Sequence, residues 1–185
     1  MTNDAVHDFI LANQDNLRVA AAVCDVWPEV RDSVVIGFLD RLNSRLMDNL
    51  KGWESEIDGS LQQKYSGACF RKRGWENYWL CLQAQEFGER IVFGVMREKE
   101  TIGKRPFNDE LFDAIPQTGT RNAWWEVMIK MRSPAADWRK PDVLWRMQTD
   151  DKFLQDVQEQ LLDVAKISEP IMDRWLQKMR TSSNK

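Results

Sequence analysis

The 185-residue chain is poor in histidine and lacks the sequence motifs that mark common catalytic centres. It has one histidine, His7, whereas a Ser-His-acid or Cys-His site needs such a base held beside its nucleophile. It contains neither a G-x-x-x-x-G-K-[ST] nor a G-x-G-x-x-G motif for cradling phosphate. We therefore expect no catalytic residue, no cofactor and no metal site, and a non-enzymatic protein is favoured over an enzyme.

Cysteine is also scarce. The three cysteines, Cys24, Cys69 and Cys81, are widely spaced, form no C-x-x-C pair and have no histidine-rich partner sequence, which disfavours a zinc site. An odd number of cysteines in apolar sequence predicts reduced, buried thiols and hence a reducing compartment. The N-terminus shows no signal peptide, and no apolar run approaches the ~20 residues of a membrane span. We expect a cytoplasmic protein with no membrane partner.

The composition is that of a folded domain. The apolar fraction is 43% and the charged fraction 30%, with only six prolines and nine glycines, which argues against disorder. We expect one domain over residues 1–185. The net charge of −3 disfavours a protein whose main task is to grip phosphate backbones, although a local basic patch could still bind nucleic acid.

Apolar residues recur every three or four positions at both ends of the chain, which predicts helices at about 4–51 and 150–180. Trp27-Pro28 is expected to break the first helical region, so that a second helix runs over about 29–51. Thr149 is the expected N-cap of the C-terminal helices, and Pro170 is expected to interrupt them.

The middle of the chain changes to a period of two, which predicts strands near 68–72, 77–84, 90–97 and 123–131, with a short helix near 108–116. The fold class is therefore α+β: an antiparallel β-sheet of about four strands, over about 66–132, flanked by N-terminal and C-terminal helices. In the fourth strand, alternation is expected to place Trp125, Val127 and Ile129 on one face and Trp124, Lys130 and Arg132 on the other.

Nine tryptophans, several of them beside Arg or Lys, are the feature with most functional content. Tryptophan and arginine anchor protein interfaces, and aromatic side chains on a sheet can also stack on nucleic acid bases. The same residues could instead form core and a solvated rim. We predict a non-enzymatic binding domain with a protein partner or self-association, nucleic acid being possible. Its candidate binding residues are Arg71, Arg73, Trp75, Trp124, Lys130 and Arg132.

The segments GWENYWLCL at 74–82 and IVFGVMR at 91–97 resemble a hairpin in the β-rich C-terminal region of bacterial and phage-related PD-(D/E)xK-nuclease-like proteins. The resemblance covers about a third of the chain and includes no catalytic residue. It implies an accessory domain in DNA handling or phage defence. The alternative is a metal-dependent nuclease of that type using Asp142 and Asp150-x-Lys152, although helix capping also explains Asp150.

Overall fold

The computed structural model describes residues 3–115 and 119–183 as an α+β fold with helices at both ends of an antiparallel sheet. The chain therefore has the predicted fold class, but its sheet has six strands rather than about four. The helices are α1 (Asn3–Leu11), α2 (Gln14–Asn49), α3 (Asp109–Ala114), α4 (Pro141–Thr149) and α5 (Asp151–Ser183), with a 3-10 turn at Lys99–Thr101. The strands are β1 (Trp53–Asp58), β2 (Ser66–Lys72), β3 (Tyr78–Gln85), β4 (Arg90–Arg97), β5 (Thr120–Asn122) and β6 (Trp125–Lys130).

The strand order is β1-β2-β3-β4-β6-β5, and every neighbouring pair is antiparallel. The four strands predicted from the two-residue period correspond to β2, β3, β4 and β6. The two edge strands, β1 and β5, were not predicted from the sequence. β5 has only three residues, and in β1 the less exposed positions of the alternation include Ser55, so Trp53 and Ile57 are its only apolar residues.

Helices pack on one face of the sheet. The C-terminal half of α2 supplies Phe38, Leu39, Leu42 and Leu46, all fully buried. They join the buried residues of α4 and α5 in one large core with alternate residues of the strands, among them Leu80, Phe93 and Ile129. The spacing of three and four residues places the leucines on one face of α2. The two-residue period of the strands places alternate apolar side chains on the sheet face that this helix covers.

Both proline breaks predicted from the sequence were wrong. Pro28 lies inside α2 and Pro170 lies inside α5, and each helix continues through its proline. Proline removes one helical hydrogen bond, but the buried stripe of α5 extends beyond Pro170 to Met172 and Leu176 and holds the helix there.

The N-cap of the C-terminal helix is Asp150 and not, as the sequence predicted, Thr149. Thr149 ends α4, a helix that the sequence analysis did not predict, and Asp150 caps α5 by accepting a hydrogen bond from the amide of Phe153 at 3.0 Å. The short helix expected near 108–116 is confirmed as α3. The side chain of Asn108 caps it by accepting from the amide of Leu111 at 3.0 Å.

Candidate binding cleft on the open sheet face

The sheet face opposite the helices has an apolar cluster of its own. Trp79, Cys81, Val92 and Trp125 are buried there, and Cys69, Met96 and Met128 pack around them. All seven belong to strands, so this second cluster is built without a helix residue. We call this surface the open face.

The strand register aligns the open-face residues in rows across the sheet. The rows are Trp79-Met96-Trp125, then Cys69-Cys81-Gly94-Met128, then Gly67-Gln83-Val92-Lys130. Gly94 has φ 142°, and a Cβ at that position would lie 2.1 Å from the carbonyl oxygen of Val127. The backbone at the middle of the open face therefore requires glycine, which allows the strands to approach and bend tightly.

A bulge in β6 decides which tryptophan joins the open face. Val95 pairs with Val127, but Met96 pairs with Trp125, so Glu126 is the extra residue between the two pairs. Because one extra residue reverses the alternation, Trp125 lies on the opposite face from Val127 and Ile129. The expectation that these three residues share a face was therefore wrong.

A disulfide lies in the middle of the open face. Cys69 and Cys81 are directly opposite each other on β2 and β3, with Cα atoms 4.1 Å apart, and their sulfurs are bonded. The third cysteine, Cys24, is free and exposed. The expectation of three reduced, buried thiols was therefore wrong, because the register that pairs Cys69 with Cys81 cannot be read from their twelve-residue spacing.

A cleft of ≈ 610 Å³ opens on this face. Its apolar wall is Met96, Trp124 and Trp125, its polar floor contains Gln83 and Gln85, and its rim includes residues 97–100 with Tyr65 and Asn122. We call it the open-face cleft. Apolar and aromatic walls with a few amide groups are typical of sites that bind organic ligands or peptide side chains.

A buried ion pair fixes the rim of the cleft. The Nε atom of Arg97 lies 3.4 Å from the Oε1 atom of Glu126, and both side chains are inaccessible to solvent. The Arg97 guanidinium also donates to the carbonyls of Thr101 and Arg105 at 3.1 and 2.6 Å. Glu126 accepts from the amide of Asn108 at 2.9 Å. The pair thus ties the rim segment and the start of α3 to the ends of β4 and β6.

Burial raises the pKa of Glu126 above the usual glutamate range, while the Asn108 amide and Arg97 act in the opposite direction. The cation of Arg97 is balanced by this carboxylate and by backbone carbonyls, so it is committed to the fold. We therefore do not count Arg97 as a charge available to a ligand, although it lines the cleft.

Arg71 extends the open face beyond Trp79. Its guanidinium lies 4.2 Å from the centre of the Trp79 ring, 2.5 Å from a carboxylate oxygen of Glu54 and 3.5 Å from one of Glu98. The indole N–H of Trp79 donates to the same Glu98 carboxylate. Arg71 is therefore neutralised by two acids and stacked on an aromatic ring.

Further carboxylates border this face. Glu54, Glu56 and Asp58 pair with Arg71, Cys69 and Gly67, which places them on the open face at the β1 edge. Acidic side chains along an edge strand oppose pairing with another chain. Because of these acids the open face as a whole is not basic, and their negative charge repels phosphate.

The structure distributes the candidate binding residues over several surfaces. Trp124 is 50% exposed at the rim of the cleft, Arg71 lies on the same face, and Lys130 is exposed at its far end. Arg73 is exposed in the β2–β3 turn, beside a shallow groove next to Trp53. Arg132 lines a different groove, together with Arg146 and Phe153.

Trp75 does not belong to any surface. Its side chain is 1% exposed, its ring lies 5.0 Å from that of Trp53, and its N–H donates to Asp173 at 2.9 Å. It is a core residue with a satisfied donor, so it is not available to a partner. The basic residues before Trp75 in the sequence predicted an exposed position. Trp75 is buried because α5 packs over the β2–β3 turn.

Four further residues that line the cleft were not among the candidates predicted from the sequence: Gln83, Gln85, Met96 and Glu98. One signal was present: in β3, Trp79, Cys81, Gln83 and Gln85 alternate with the apolar Leu80, Leu82 and Ala84. Glutamine at every second position of an apolar strand indicates a polar surface on that face.

In residues 3–115 and 119–183 no group of three His, Cys, Asp or Glu side chains is placed to hold a metal ion. Asp142 is exposed in the first turn of α4, and Asp150 caps α5 at the other end of that helix. Among the described helices, none is long and apolar enough to cross a membrane.

Comparison with known proteins found no matching family model, no matching curated protein and no matching solved structure.

Proposed function

We propose that this chain is a non-enzymatic binding module that holds a segment of a protein partner in the open-face cleft. The observation that carries the proposal is the cleft itself, with the half-exposed Trp124 beside the buried Trp125 and the partly buried Met96. Tryptophan and methionine are enriched at protein interfaces, and a rigid aromatic side chain at a pocket rim is the usual anchor of such contacts. Gln83 and Gln85 provide amide groups that could pair with a partner's backbone.

Charge favours a protein over a nucleic acid as the partner. Arg71 is held between Glu54 and Glu98, and the β1 edge adds Glu56 and Asp58 to the same face. Affinity for nucleic acid comes largely from Lys and Arg that are free to neutralise phosphates. Lys130 is exposed at one end of the open face and does not form part of a continuous row of basic residues.

The biological process and the cellular location that we propose come from the sequence alone. The resemblance to PD-(D/E)xK-nuclease-like proteins supports an accessory role in DNA handling or phage defence. A cytoplasmic location stays part of the proposal, although the Cys69–Cys81 disulfide removes the argument for a reducing compartment that rested on free thiols.

A peptide-display selection against the immobilised full-length chain tests the proposal. Selected peptides are then titrated against the wild type, Trp124→Ala and, as matched control, Trp145→Ala, since Trp145 is 66% exposed on α4 and outside the cleft. We expect Trp124→Ala to weaken binding by about 30-fold and Trp145→Ala to leave it unchanged. Peptides that bind both variants equally would place the binding surface elsewhere.

A second measurement distinguishes a protein ligand from nucleic acid. Lys130→Ala/Arg132→Ala removes two exposed cations and should change the free energy of unfolding by about 0.5 kcal/mol or less per residue. Binding of the selected peptides should vary little with salt. Tight binding of a single-stranded oligonucleotide that falls steeply with salt, and falls further in this double variant, would instead favour the nucleic acid partner.

A further inference from the structure

The N-terminal arm, residues 3–34, exposes many apolar side chains. Of α2, residues 14–34 contain no buried side chain, and the buried series of this helix begins at Val35. α1 packs on the start of α2, where the side chain of Asn16 donates to the carbonyl of Phe9 at 2.7 Å. A monomer rarely exposes so long an apolar surface without using it.

Four valines form one stripe along this arm. Val19, Val23, Val26 and Val30 are 62%, 52%, 50% and 43% exposed and are separated by four, three and four residues. We call them the valine stripe. This is the spacing of the a and d positions of a coiled coil, at which each side chain inserts between residues of a facing helix. The stripe is bounded by Asn16 and Ser33, which would occupy the next such positions.

We infer that the valine stripe binds the valine stripe of a second copy of this chain, with the two α2 helices antiparallel. The 4-3-4 spacing reads the same in both directions, so two antiparallel copies match without a gap. Val19 then meets Val30 of the second copy, and Val23 meets Val26 of the second copy. All four layers are Val–Val, and the two-fold axis passes between Cys24 and Asp25.

The flanking residues have complementary sizes. In the same heptad, Ala20 and Trp27 occupy the e positions, and antiparallel pairing brings e positions of the two helices together. Ala20 is half-buried and Trp27 is 37% exposed, so the large indole of one copy would cover the small residue of the other. Pro28 falls at an f position, on the outer side of the helix, where its ring does not enter the interface.

Charge argues against a membrane surface as the occupant. The arm carries the acids Asp4, Asp8, Asp15, Asp25, Glu29 and Asp32 against the bases Arg18 and Arg31. Amphipathic helices that lie on anionic membranes are rich in Lys and Arg on the polar face, which is the opposite pattern.

The folded body favours the antiparallel arrangement. Body contacts begin near Asp32, whose carboxylate accepts from the amide of Leu61 at 2.9 Å, and continue from Val35. These positions lie about 10–15 Å along α2 from the proposed axis at 1.5 Å per residue. Antiparallel helices carry the two bodies to opposite ends of the stripe, whereas parallel helices would bring them side by side.

Sedimentation velocity of the full-length chain over a range of concentrations tests the inference. We expect the wild type to dimerise, and Val23→Lys/Val26→Lys to weaken the dimer by at least about 30-fold, because it places charges at the centre of the interface. The matched control is Ala21→Lys, which adds a lysine to an exposed f position of the same helix. Circular dichroism of each variant should match the wild type, since these side chains are exposed.

A wild type that stays monomeric, or a dimer that persists in the double lysine variant, would overturn the inference. The orientation is tested by disulfide trapping in a Cys24→Ser background. Mixed Val19→Cys and Val30→Cys chains should form the heterodimer in preference to either homodimer. Preferential 19–19 and 30–30 bridges would show parallel helices and overturn the antiparallel arrangement.

Discussion

The guanidinium of Arg71 lies 4.2 Å from the centre of the Trp79 ring and is held between the carboxylates of Glu54 and Glu98. The arrangement joins three strands and the rim of the open-face cleft. It also shows why basic residues close to tryptophans in the sequence are a poor guide to phosphate binding. The charge of Arg71 is already balanced, and its flat side chain covers an aromatic ring.

Arg71→Ala should lower the free energy of unfolding by about 1–2 kcal/mol. The loss combines a cation–π contact, about 0.5–1 kcal/mol at a partly exposed site, with ion pairs worth up to about 1 kcal/mol. Arg71→Lys should recover less than half of it, because an ammonium cannot stack and bind two carboxylates with the same geometry. Urea unfolding measures both variants. Equal stability of the lysine variant and the wild type would show that charge alone matters here.

Gly94→Ala should destabilise the sheet by at least about 2 kcal/mol, because φ is 142° and the new Cβ would meet the Val127 carbonyl at 2.1 Å. Gly37→Ala is the matched control. A Cβ at position 37 would lie 3.9 Å from the side chain of Arg41, its nearest neighbour. Because alanine favours the helix over glycine, this variant should raise the free energy of unfolding by up to about 1 kcal/mol. Thermal and urea unfolding test the pair. A neutral Gly94→Ala would mean that β4 and β6 do not approach this closely.

The Asp150 cap predicts a specific pH dependence. The hydrogen bond from the Phe153 amide, helped by Arg146 at 3.0 Å, lowers the pKa of Asp150. A lowered folded-state pKa stabilises the fold above the unfolded value of about 3.9, and this contribution is lost as the pH falls through the folded value. Asp150→Asn should therefore be less stable than the wild type at pH 7.

The difference between these two proteins should shrink as the pH is lowered from about 4 towards 2, measured by urea unfolding at each pH. Asp156→Asn, an exposed change within α5, controls for the loss of one negative charge. A gap between wild type and Asp150→Asn that stays constant with pH would show that the carboxylate charge does not stabilise the helix start.

Millimolar Mg²⁺ or Mn²⁺ should leave the melting temperature unchanged, because over the described residues the acids do not converge in groups of three. A metal that binds only the folded state would raise the melting temperature by mass action. Thermal unfolding with and without metal checks this. A clear rise that disappears in Asp142→Ala would instead support the nuclease alternative.

The sequence by itself determined the elements that have strong local patterns. The spacing of Leu39, Leu42 and Leu46 placed the buried face of α2, and the two-residue period placed the four inner strands. Periodicity is a property of neighbouring residues, so it can be read without knowing the fold. The alternation of Gln83 and Gln85 with Leu82 and Ala84 is also visible in the sequence, although the cleft was not predicted from it.

Only the tertiary structure decided how those elements meet. The strand register joined Cys69 to Cys81, the bulge at Glu126 turned Trp125 to the open face, and α5 covered Trp75 while Trp124 stayed at the surface. Pro170 stayed helical because buried residues on both sides of it hold α5 in place. Each outcome depends on contacts between residues far apart in the chain, and a local pattern carries no information about such partners.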